Sequence, residues 1–400
     1  MYTLRQYLTT LSDTRGLTRT LGEIDLCRDA QGRPLCTAGN SAAVFRIRLG
    51  GRIRTLRCFL REMRHLREIY GDRLLEKELF LFDTPDSGSW ADVVLGDWIE
   101  GETLQTVLTA AAGTGDRPRL AALAADFDRL AAQLTADDRA HGDLKPENII
   151  VGADGTLHLI DLDAMFLPAF AGERSSELGT AAYQHPARTA DDFDDRLDDY
   201  PAALISTALH ALALDPTFYD RYAEGDGLLF QPHAIPGDAA YREVLTLFCR
   251  RGMAVQYRIA GLLTAPAPHL FGLPDLFARA AAEQVAAASA PEETAPKETA
   301  PKEIASGEAT PELFVENGRW GYRTPQRIVV PPLYDCGFDF SEGLAAVQLG
   351  PAWHYIDTAG RTVLCCPDYD AVKPFRSGRA QVSCAGRRME IDRSGREFDI

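Results

Sequence analysis

The sequence predicts an α+β protein that continues into a C-terminal all-β domain. Three observations predict this class. Residues 42–99 read as short strands with one helix among them, whereas the apolar residues from Leu120 onward recur at helical spacing. Residues 286–311 are rich in Ala, Pro, Glu and Thr, and residues 313–400 are internally repetitive. We therefore expect a small strand-rich lobe, a larger helical lobe, a linker and a repeat domain.

The strand-rich lobe is predicted from its alternation of apolar and polar residues. Residues 42–60 alternate loosely and contain Gly50-Gly51, which predicts a hairpin that turns at the two glycines. The next residues, 61–75, read as a helix. Two further strands are expected at Leu79–Phe82 and Val93–Ile99.

The helical lobe is predicted from two segments. Five large apolar residues fall on one helical face, namely Leu120, Leu123, Phe127, Leu130 and Leu134. A second helix, Ala202–Ala213, is apolar nearly all round and should therefore be buried on all sides.

The linker contains Thr-Ala-Pro-Lys-Glu twice in succession and four prolines, which disfavour a helical spacer. Such a composition cannot bury enough apolar surface to offset its ordering entropy, so we expect a solvated, semi-extended segment. The resulting boundaries are an N-terminal extension at 1–34, a strand-rich lobe at about 35–98, a helical lobe at about 99–285, the linker at 286–311 and the repeats at 312–400.

Composition excludes several classes of function. The formal charge of −16 argues against nucleic-acid binding, which needs clustered Lys and Arg. No stretch is long and apolar enough to span a bilayer, and the N-terminus has no secretion signal, so we expect a cytoplasmic location without membrane association. The eight cysteines have no zinc-binding spacing and are expected to be buried free thiols.

Two Trp-containing units recur near the C-terminus. Trp320-Gly321-Tyr322 is echoed by Trp353-His354-Tyr355, and a degenerate third unit follows at 388–396. These units resemble the WG repeat family, whose repeats read roughly G-x-W-G-Y-I-D-x-x-G-x-x-V. The resemblance implies a binding role, here recruitment of a protein partner. In the simpler structural interpretation, Trp320 and Trp353 are anchors of the repeat core.

The residues with the clearest chemistry are three carboxylate and amide side chains. Asp143 and Asn148 lie in His-Gly-Asp-Leu-Lys-Pro-Glu-Asn, directly after an amphipathic helix, and Asp161 follows a turn at Asp154-Gly155. Phosphoryl transfer needs charge at the phosphates and a carboxylate directed at the acceptor hydroxyl. Because Mg²⁺ prefers oxygen ligands, Asn148 and Asp161 are candidate metal ligands.

These residues resemble the catalytic loop and metal-binding motif of the protein kinases, and Lys-Pro-Glu-Asn is typical of the Ser/Thr kinases. The resemblance covers about residues 35–280 and implies a bilobal protein-kinase-like fold that uses ATP and Mg²⁺. It implies that Asp143 orients the substrate hydroxyl, that Lys145 contacts the γ-phosphate, and that Asn148 and Asp161 hold the metal.

Further segments fit the same resemblance. Gly179-Thr180 opens a G-T-x-x-Y-x-x-P segment, in which Thr180 is expected to hydrogen-bond Asp143 and Lys145. Asp198 is expected to support the backbone of the catalytic loop. The segment from Asp97 to Ile99 resembles the hinge, where backbone groups would meet adenine.

The chain also departs from the kinase pattern. Arg57 stands where the family has its phosphate-binding Lys, and Arg is not interchangeable with Lys. Glu68 is the candidate partner of Arg57, with Glu62 as its rival. Asp163 replaces the glycine of the metal-binding motif, either as an extra metal ligand or as a turn residue.

Two more departures concern glycines. Gly39 is the one glycine of a reduced phosphate loop. Gly142 replaces the Arg that many kinases carry before the catalytic Asp, so switch-like activation by phosphorylation is not expected.

The leading hypothesis is therefore an ATP- and Mg²⁺-dependent Ser/Thr protein kinase with a repeat module for partner recruitment. The alternative is a pseudokinase, a nucleotide-binding scaffold without turnover. A small-molecule kinase is a third possibility, because His-Gly-Asp also occurs in aminoglycoside-type phosphotransferases. Lys-Pro-Glu-Asn and Gly179-Thr180 count against it.

Overall fold

The computed structural model describes residues 1–84, 86–223, 225, 227–235, 237–251, 253–289, 310–316, 318–349, 352–366, 369–384 and 386–399. The chain divides into two compact units. The first contains Met1–Glu102, Gly152–Asp154 and His158–Met165, and the second contains Thr103–Val151, Gly155–Leu157 and Phe166–Ile400. Among the described residues, no helix combines the length and apolar character needed to cross a bilayer.

The first unit is built on one antiparallel sheet. Its elements are α1 (Leu4–Ser12), β1 (Asp25–Leu26), β2 (Cys36–Ala38), β3 (Ala42–Leu49), β4 (Arg52–Phe59), α2 (Leu66–Tyr70), β5 (Leu74–Thr84) and β6 (Ser87–Asp97). The strand order is β1-β3-β4-β6-β5, and β2 pairs with β3. The predicted hairpin is confirmed, because β3 and β4 pair across Gly50 and Gly51, which both have positive φ.

The helix predicted at residues 61–75 is much shorter in the structure. Only Leu66–Tyr70 is α-helical, because His65 before it has a left-handed backbone and Gly71 after it has a positive φ. The strand predicted at 79–82 lies within the longer β5, and the strand predicted at 93–99 overlaps the end of β6, which stops at Asp97.

The N-terminal residues belong to the core of the first unit rather than extending from it. Helix α1 begins with a capping box between Thr3 and Gln6. Tyr7, Leu11 and Ile24 are buried in one cluster with apolar residues of the sheet. The Tyr7 hydroxyl also donates to the backbone oxygen of Phe59 at 2.8 Å. Residues 1–34 therefore complete the hydrophobic core of this unit.

The elements that follow along the chain are mostly helical and lie largely in the second unit. The chain passes through β7 (Gly101–Thr103), α3 (Leu104–Thr114), α4 (Arg117–Leu134), β8 (Ile149–Gly152), β9 (Leu157–Leu159), α5 (Asp199–Leu214), α6 (Thr217–Tyr222), α7 (Ala239–Arg250), α8 (Ala254–Leu262) and α9 (Leu273–Ser289). The predicted face of α4 is buried at Leu120, Leu123 and Phe127. Helix α5 is buried on all sides, as its apolar sequence predicts.

The C-terminal residues form three small antiparallel sheets. These contain β10 (Glu312–Glu316), β11 (Arg319–Arg323) and β12 (Ile328–Tyr334); β13 (Cys336–Gly337), β14 (Leu344–Leu349), β15 (Ala352–Asp357) and β16 (Thr362–Cys366); and β17 (Ala371–Val372), β18 (Arg379–Cys384), β19 (Arg387–Asp392) and β20 (Glu397–Asp399). The sheets repeat their side-chain contacts. The Tyr322 hydroxyl donates to the Phe338 oxygen and the Tyr355 hydroxyl to the Lys373 oxygen, both at 2.6 Å.

The two tryptophans differ in burial. Trp353 is buried against the Phe338 ring and donates from its indole nitrogen to the Asp370 oxygen at 3.3 Å, so its predicted role as a core anchor is confirmed. Trp320 on β11 is only half-buried.

The repeats pack on helix α8 within the second unit. Arg258 is buried and donates to the Tyr334 hydroxyl at 2.7 Å and to the backbone oxygen of Gly360. The Tyr257 hydroxyl donates to the Leu349 oxygen at 3.3 Å. The sequence did not indicate these contacts. The predicted linker lies largely outside the described residues, and its first four residues, 286–289, continue helix α9.

The prediction that all cysteines are buried free thiols is wrong. Cys249 on α7 forms a disulfide with Cys365 on β16, at a sequence separation of 116 and with a Cα–Cα distance of 5.7 Å. Of the six free cysteines, Cys58 and Cys366 are buried and Cys36 is exposed. The disulfide could not be predicted from spacing, because the two residues meet only when the repeats pack on the helices.

Candidate functional site

The predicted catalytic residues of the second unit form one hydrogen-bonded cluster. Lys145 Nζ lies 3.1 Å from Asp143 Oδ2 and donates to Thr180 Oγ1 at 2.8 Å. The Thr180 N–H donates to Asp143 Oδ1 at 2.6 Å. Asn148 Nδ2 donates to the backbone oxygen of Asp143 at 2.8 Å and to its Oδ2 at 3.2 Å. The expected contacts of Thr180 with Asp143 and Lys145 are therefore confirmed.

The environment of Asp143 keeps its carboxylate ionised. Burial acts to raise its pKa, but the Lys145 ammonium and the hydrogen bonds from Lys145 and Thr180 outweigh burial and hold the pKa below its ordinary value. A carboxylate with a lowered pKa is a weak proton acceptor near neutral pH. Asp143 is thus better suited to orient a hydroxyl than to remove its proton early.

Gly179 brings the Thr180 segment against the loop that carries Gly142 and Asp143. Its φ is +71°, and a Cβ atom placed there would lie 2.8 Å from the Gly142 oxygen and 3.1 Å from Asp143 Oδ1. A side chain at this position would therefore push the segment away from Asp143. The close approach explains why the Thr180 N–H reaches the carboxylate.

Asp198 supports the backbone that precedes Asp143. Its carboxylate is buried and accepts from the His141 N–H at 2.5 Å and from the Gly142 N–H at 3.0 Å. Burial raises the pKa of Asp198, and the His141 and Gly142 contacts act in the opposite direction. The expected supporting role of Asp198 agrees with these contacts.

The first unit holds a second cluster of charged residues around Arg57. Arg57 lies in the middle of β4, between Val44 of β3 and Val94 of β6. Its guanidinium contacts Asp161 Oδ1 at 2.5 Å and also contacts Asp163. Burial acts to lower the pKa of Arg57, but Tyr70, Asp161 and Asp163 raise it above its ordinary value. The group remains a cation.

The predicted pairing of Arg57 with Glu68 is wrong. Glu68 is exposed on the short helix α2, whereas Tyr70 of the same helix is buried and its hydroxyl donates to Asp163 at 2.5 Å. Glu62, the rival partner, is exposed as well. The carboxylates on Arg57 come instead from the segment after β9, which is why the spacing of the helix residues gave no signal.

The remaining predicted residues lie at the end of β6. Asp97 is the last residue of the strand and is exposed beside Arg54, at 3.3 Å. Ile99 is half-buried in the segment that follows. Their predicted contact with adenine stays a prediction.

A cavity in the second unit adds residues that the sequence did not single out. It has a volume of about 410 Å³, and its lining includes Gln105, Glu147, Tyr219 and Asp220. Glu147 immediately precedes Asn148, and its buried Oε2 has no hydrogen-bond partner among the described residues. Two carboxylates in this lining suit a cationic group.

The described residues contain no cluster of three or more His, Cys, Asp or Glu side chains arranged to hold a metal. The predicted metal ligands, the Asn148 amide and the Asp161 carboxylate, are too few to form such a cluster. Asn148 uses its amide nitrogen on Asp143, which leaves its amide oxygen as the atom for a cation, and the Asp161 side chain is 41% exposed. The chemistry of both donors fits Mg²⁺.

Comparison with known proteins identifies the C-terminal region. The family described as WG containing repeat matches residues 326–350 and 353–387. No curated protein matches the chain significantly. The sequence prediction of WG repeats is therefore confirmed for residues 326–387, in a protein of mixed α+β structure whose C-terminal region is all-β.

Proposed function

We propose that this chain is an ATP- and Mg²⁺-dependent Ser/Thr protein kinase with a bilobal protein-kinase-like fold, whose WG repeats recruit a protein partner. The observation that supports it most is the cluster of Asp143, Lys145 and Thr180. All three residues were assigned from the sequence resemblance, and the two contacts of Thr180, with Asp143 and with Lys145, are those that the resemblance implies.

In this proposal the Asp143 carboxylate accepts from a substrate hydroxyl. A carboxylate has about four lone-pair positions. Among the described residues, Oδ2 accepts from Asn148 and Lys145, and Oδ1 accepts from the Thr180 N–H. The hydroxyl of a substrate Ser or Thr would donate to this carboxylate. Lys145 offsets the carboxylate charge and would stabilise negative charge that develops on a phosphoryl oxygen.

Bound Mg²⁺–ATP would supply the phosphoryl group and the charge that neutralises it. In this proposal Asn148 and Asp161 hold the metal, Arg57 contacts the phosphates, and the segment from Asp97 to Ile99 meets adenine. The Arg57 Nε–H is buried without a partner among the described residues, so it offers a free donor to an anionic ligand.

The test is transfer from labelled ATP, with Mg²⁺, to the protein itself and to generic Ser/Thr substrates. Asp143→Asn should lower transfer by about 10²-fold or more, because it removes the group that orients the hydroxyl. Asp138→Asn is the matched control, since Asp138 is exposed and lies five residues before Asp143. Equal transfer by wild type and Asp143→Asn would contradict the proposal.

A nucleotide-binding scaffold without turnover is the second candidate, and the contacts of Arg57 favour it. Both Asp161 and Asp163 contact the guanidinium that a phosphate would have to share. The scaffold predicts that Mg²⁺–ATP raises the unfolding temperature while transfer stays at the Asp143→Asn background.

Substitutions at Arg57 separate the two candidates further. In a working kinase, Arg57→Ala should lower transfer more than nucleotide affinity, because fixed charge at the phosphates acts mainly in the transition state. Arg57→Lys should retain transfer. If Arg57→Ala leaves robust transfer unchanged, another cation contacts the phosphates.

A further inference from the structure

Asp163 is a buried carboxylate with three partners in the first unit. It contacts the Arg57 guanidinium, accepts from the Tyr70 hydroxyl at 2.5 Å, and accepts from Ser41 Oγ at 3.1 Å. Its side chain is 4% exposed. A buried carboxylate with this many contacts is costly to remove from its cation, because solvent cannot replace the lost interactions.

Asp161 contacts the same guanidinium nitrogen in a different environment. Its side chain is 41% exposed, and Arg57 is the one ion-pair partner that it has among the described residues. Its backbone is in the left-handed region, with a φ of 64°, which is uncommon for a residue other than glycine. Water can replace Arg57 at this carboxylate at little cost. The two carboxylates therefore differ in how readily they can leave Arg57.

We infer that Asp163 is the permanent counter-ion and positioning residue of Arg57, whereas Asp161 is an exchangeable partner that leaves Arg57 for a divalent cation. This inference rests on the proposed nucleotide site. It assigns to Asp163 the role of partner to Arg57 that was predicted for Glu68. Asp163 keeps Arg57 in place on β4, so that Asp161 can turn to a metal without leaving the buried guanidinium unpaired.

The charges around Arg57 predict how Asp163→Asn should change nucleotide binding with and without metal. One guanidinium and two carboxylates carry a net charge of −1, which a metal ion offsets and an anionic nucleotide alone opposes. Removing the charge of Asp163 leaves Asp161 as the only carboxylate on Arg57 within the described part of the chain. Release of Asp161 to a metal then costs more, and metal-free nucleotide meets less repulsion. Asp163→Asn should therefore weaken nucleotide binding in the presence of metal and strengthen it, or leave it unchanged, in its absence.

The experiment is calorimetric titration with adenylyl imidodiphosphate, a non-hydrolysable ATP analogue, in MgCl₂ and in EDTA. The quantity compared is the dissociation constant in EDTA divided by the dissociation constant in MgCl₂. Asp163→Asn should reduce this ratio by about tenfold, which corresponds to one charge interaction of ordinary size. Asp86→Asn, on an exposed turn between β5 and β6, is the control and should leave the ratio unchanged. General destabilisation would weaken binding in both buffers and leave the ratio constant.

Two further variants test whether Asp163 acts by holding Arg57 in position or only through its negative charge. Tyr70→Phe keeps the Asp163 charge but removes a hydrogen bond that fixes it, so it should shift the ratio in the same direction by a smaller factor. In an Arg57→Met background, Asp163→Asn should have no further effect, since Asp163 acts through Arg57. That double variant also has no unpaired buried charge, so it remains testable if Asp163→Asn alone fails to fold.

The outcomes are distinct. If wild type binds the analogue in neither buffer, the proposed function and the inference both fail. If wild type binds with metal dependence and Asp163→Asn shows the same ratio, or if its effect persists undiminished in Arg57→Met, nucleotide binding stands and the inference is overturned. Wild-type binding without metal dependence also overturns it.

Discussion

Reduction of the Cys249–Cys365 disulfide should destabilise the second unit by a large amount. The crosslink joins positions 116 residues apart. The loop-closure relation for a loop of this length gives about 16 cal/mol/K, or about 5 kcal/mol at 25 °C, as the stabilisation that comes from restricting the unfolded chain. The bond also joins α7 to β16, so its loss frees the repeats from one of their attachments to the helices.

The measurement is urea denaturation followed by tryptophan fluorescence, with and without dithiothreitol, since the buried Trp353 reports on the repeats. Cys365→Ser should match the reduced wild type in either buffer. Cys36→Ser, at an exposed free cysteine of the first unit, is the control and should still respond to reductant. Thiol titration of the unreduced, unfolded chain should find six free thiols, eight cysteines less the two that are paired. Eight free thiols, or identical denaturation midpoints in both buffers, would refute the reasoning.

Three further predictions concern single side chains. Gly179→Ala and Gly172→Ala should each lower the free energy of unfolding by about 1–2 kcal/mol, because alanine is strained in the left-handed region. Only Gly179→Ala should also lower phosphoryl transfer, because a Cβ at Gly172 meets no atom within 4 Å. Asp198→Ala should lower the free energy of unfolding by about 2–6 kcal/mol, since two buried N–H groups lose their acceptor, whereas Asp195→Ala at an exposed carboxylate should have little effect; equal unfolding midpoints for the two variants would contradict this. Burial and then Arg258 lower the pKa of His354 to about 3. Below about pH 6.5 His354 therefore binds a proton in the unfolded chain but not in the folded protein, and the free energy of unfolding should fall by about 1.4 kcal/mol between pH 7.5 and 5.5. His354→Asn should lose this part of the pH dependence in urea denaturation. An unchanged pH dependence would contradict the assignment.

Local patterns predicted much of the fold. The hairpin at Gly50-Gly51 and the buried helix α5 depend on residues close in sequence, and both are present. The repeats were recognisable because the same residue types recur with the spacing that separates Trp320 from Trp353. The Asp143 cluster was predictable for a similar reason, since most of its residues lie within one short motif.

Long-range contacts were not predictable in the same way. Asp163 lies 106 residues from Arg57, and it displaced the predicted Glu68 because helix α2 has only five residues and directs Tyr70, not Glu68, inward. The Cys249–Cys365 disulfide likewise depends on how the repeats pack on the helices. In both cases the residue types were visible in the sequence, but their partners were fixed by tertiary packing.

The buried Arg258 on α8 bears on how recruitment by the repeats would work. It reaches from a helix of the second unit to Tyr334 and Gly360 of the β sheets, so the repeats are attached to the same body that carries Asp143. On a flexible tether, a captured partner would sample a wide volume, and its effective concentration at the proposed catalytic carboxylate, Asp143, would depend on tether length. With the repeats fixed, that concentration depends on the shape of the partner. Under the proposed function, partners whose acceptor hydroxyl lies at the right distance from their repeat-binding surface would be phosphorylated rapidly, and others that bind equally tightly would not be.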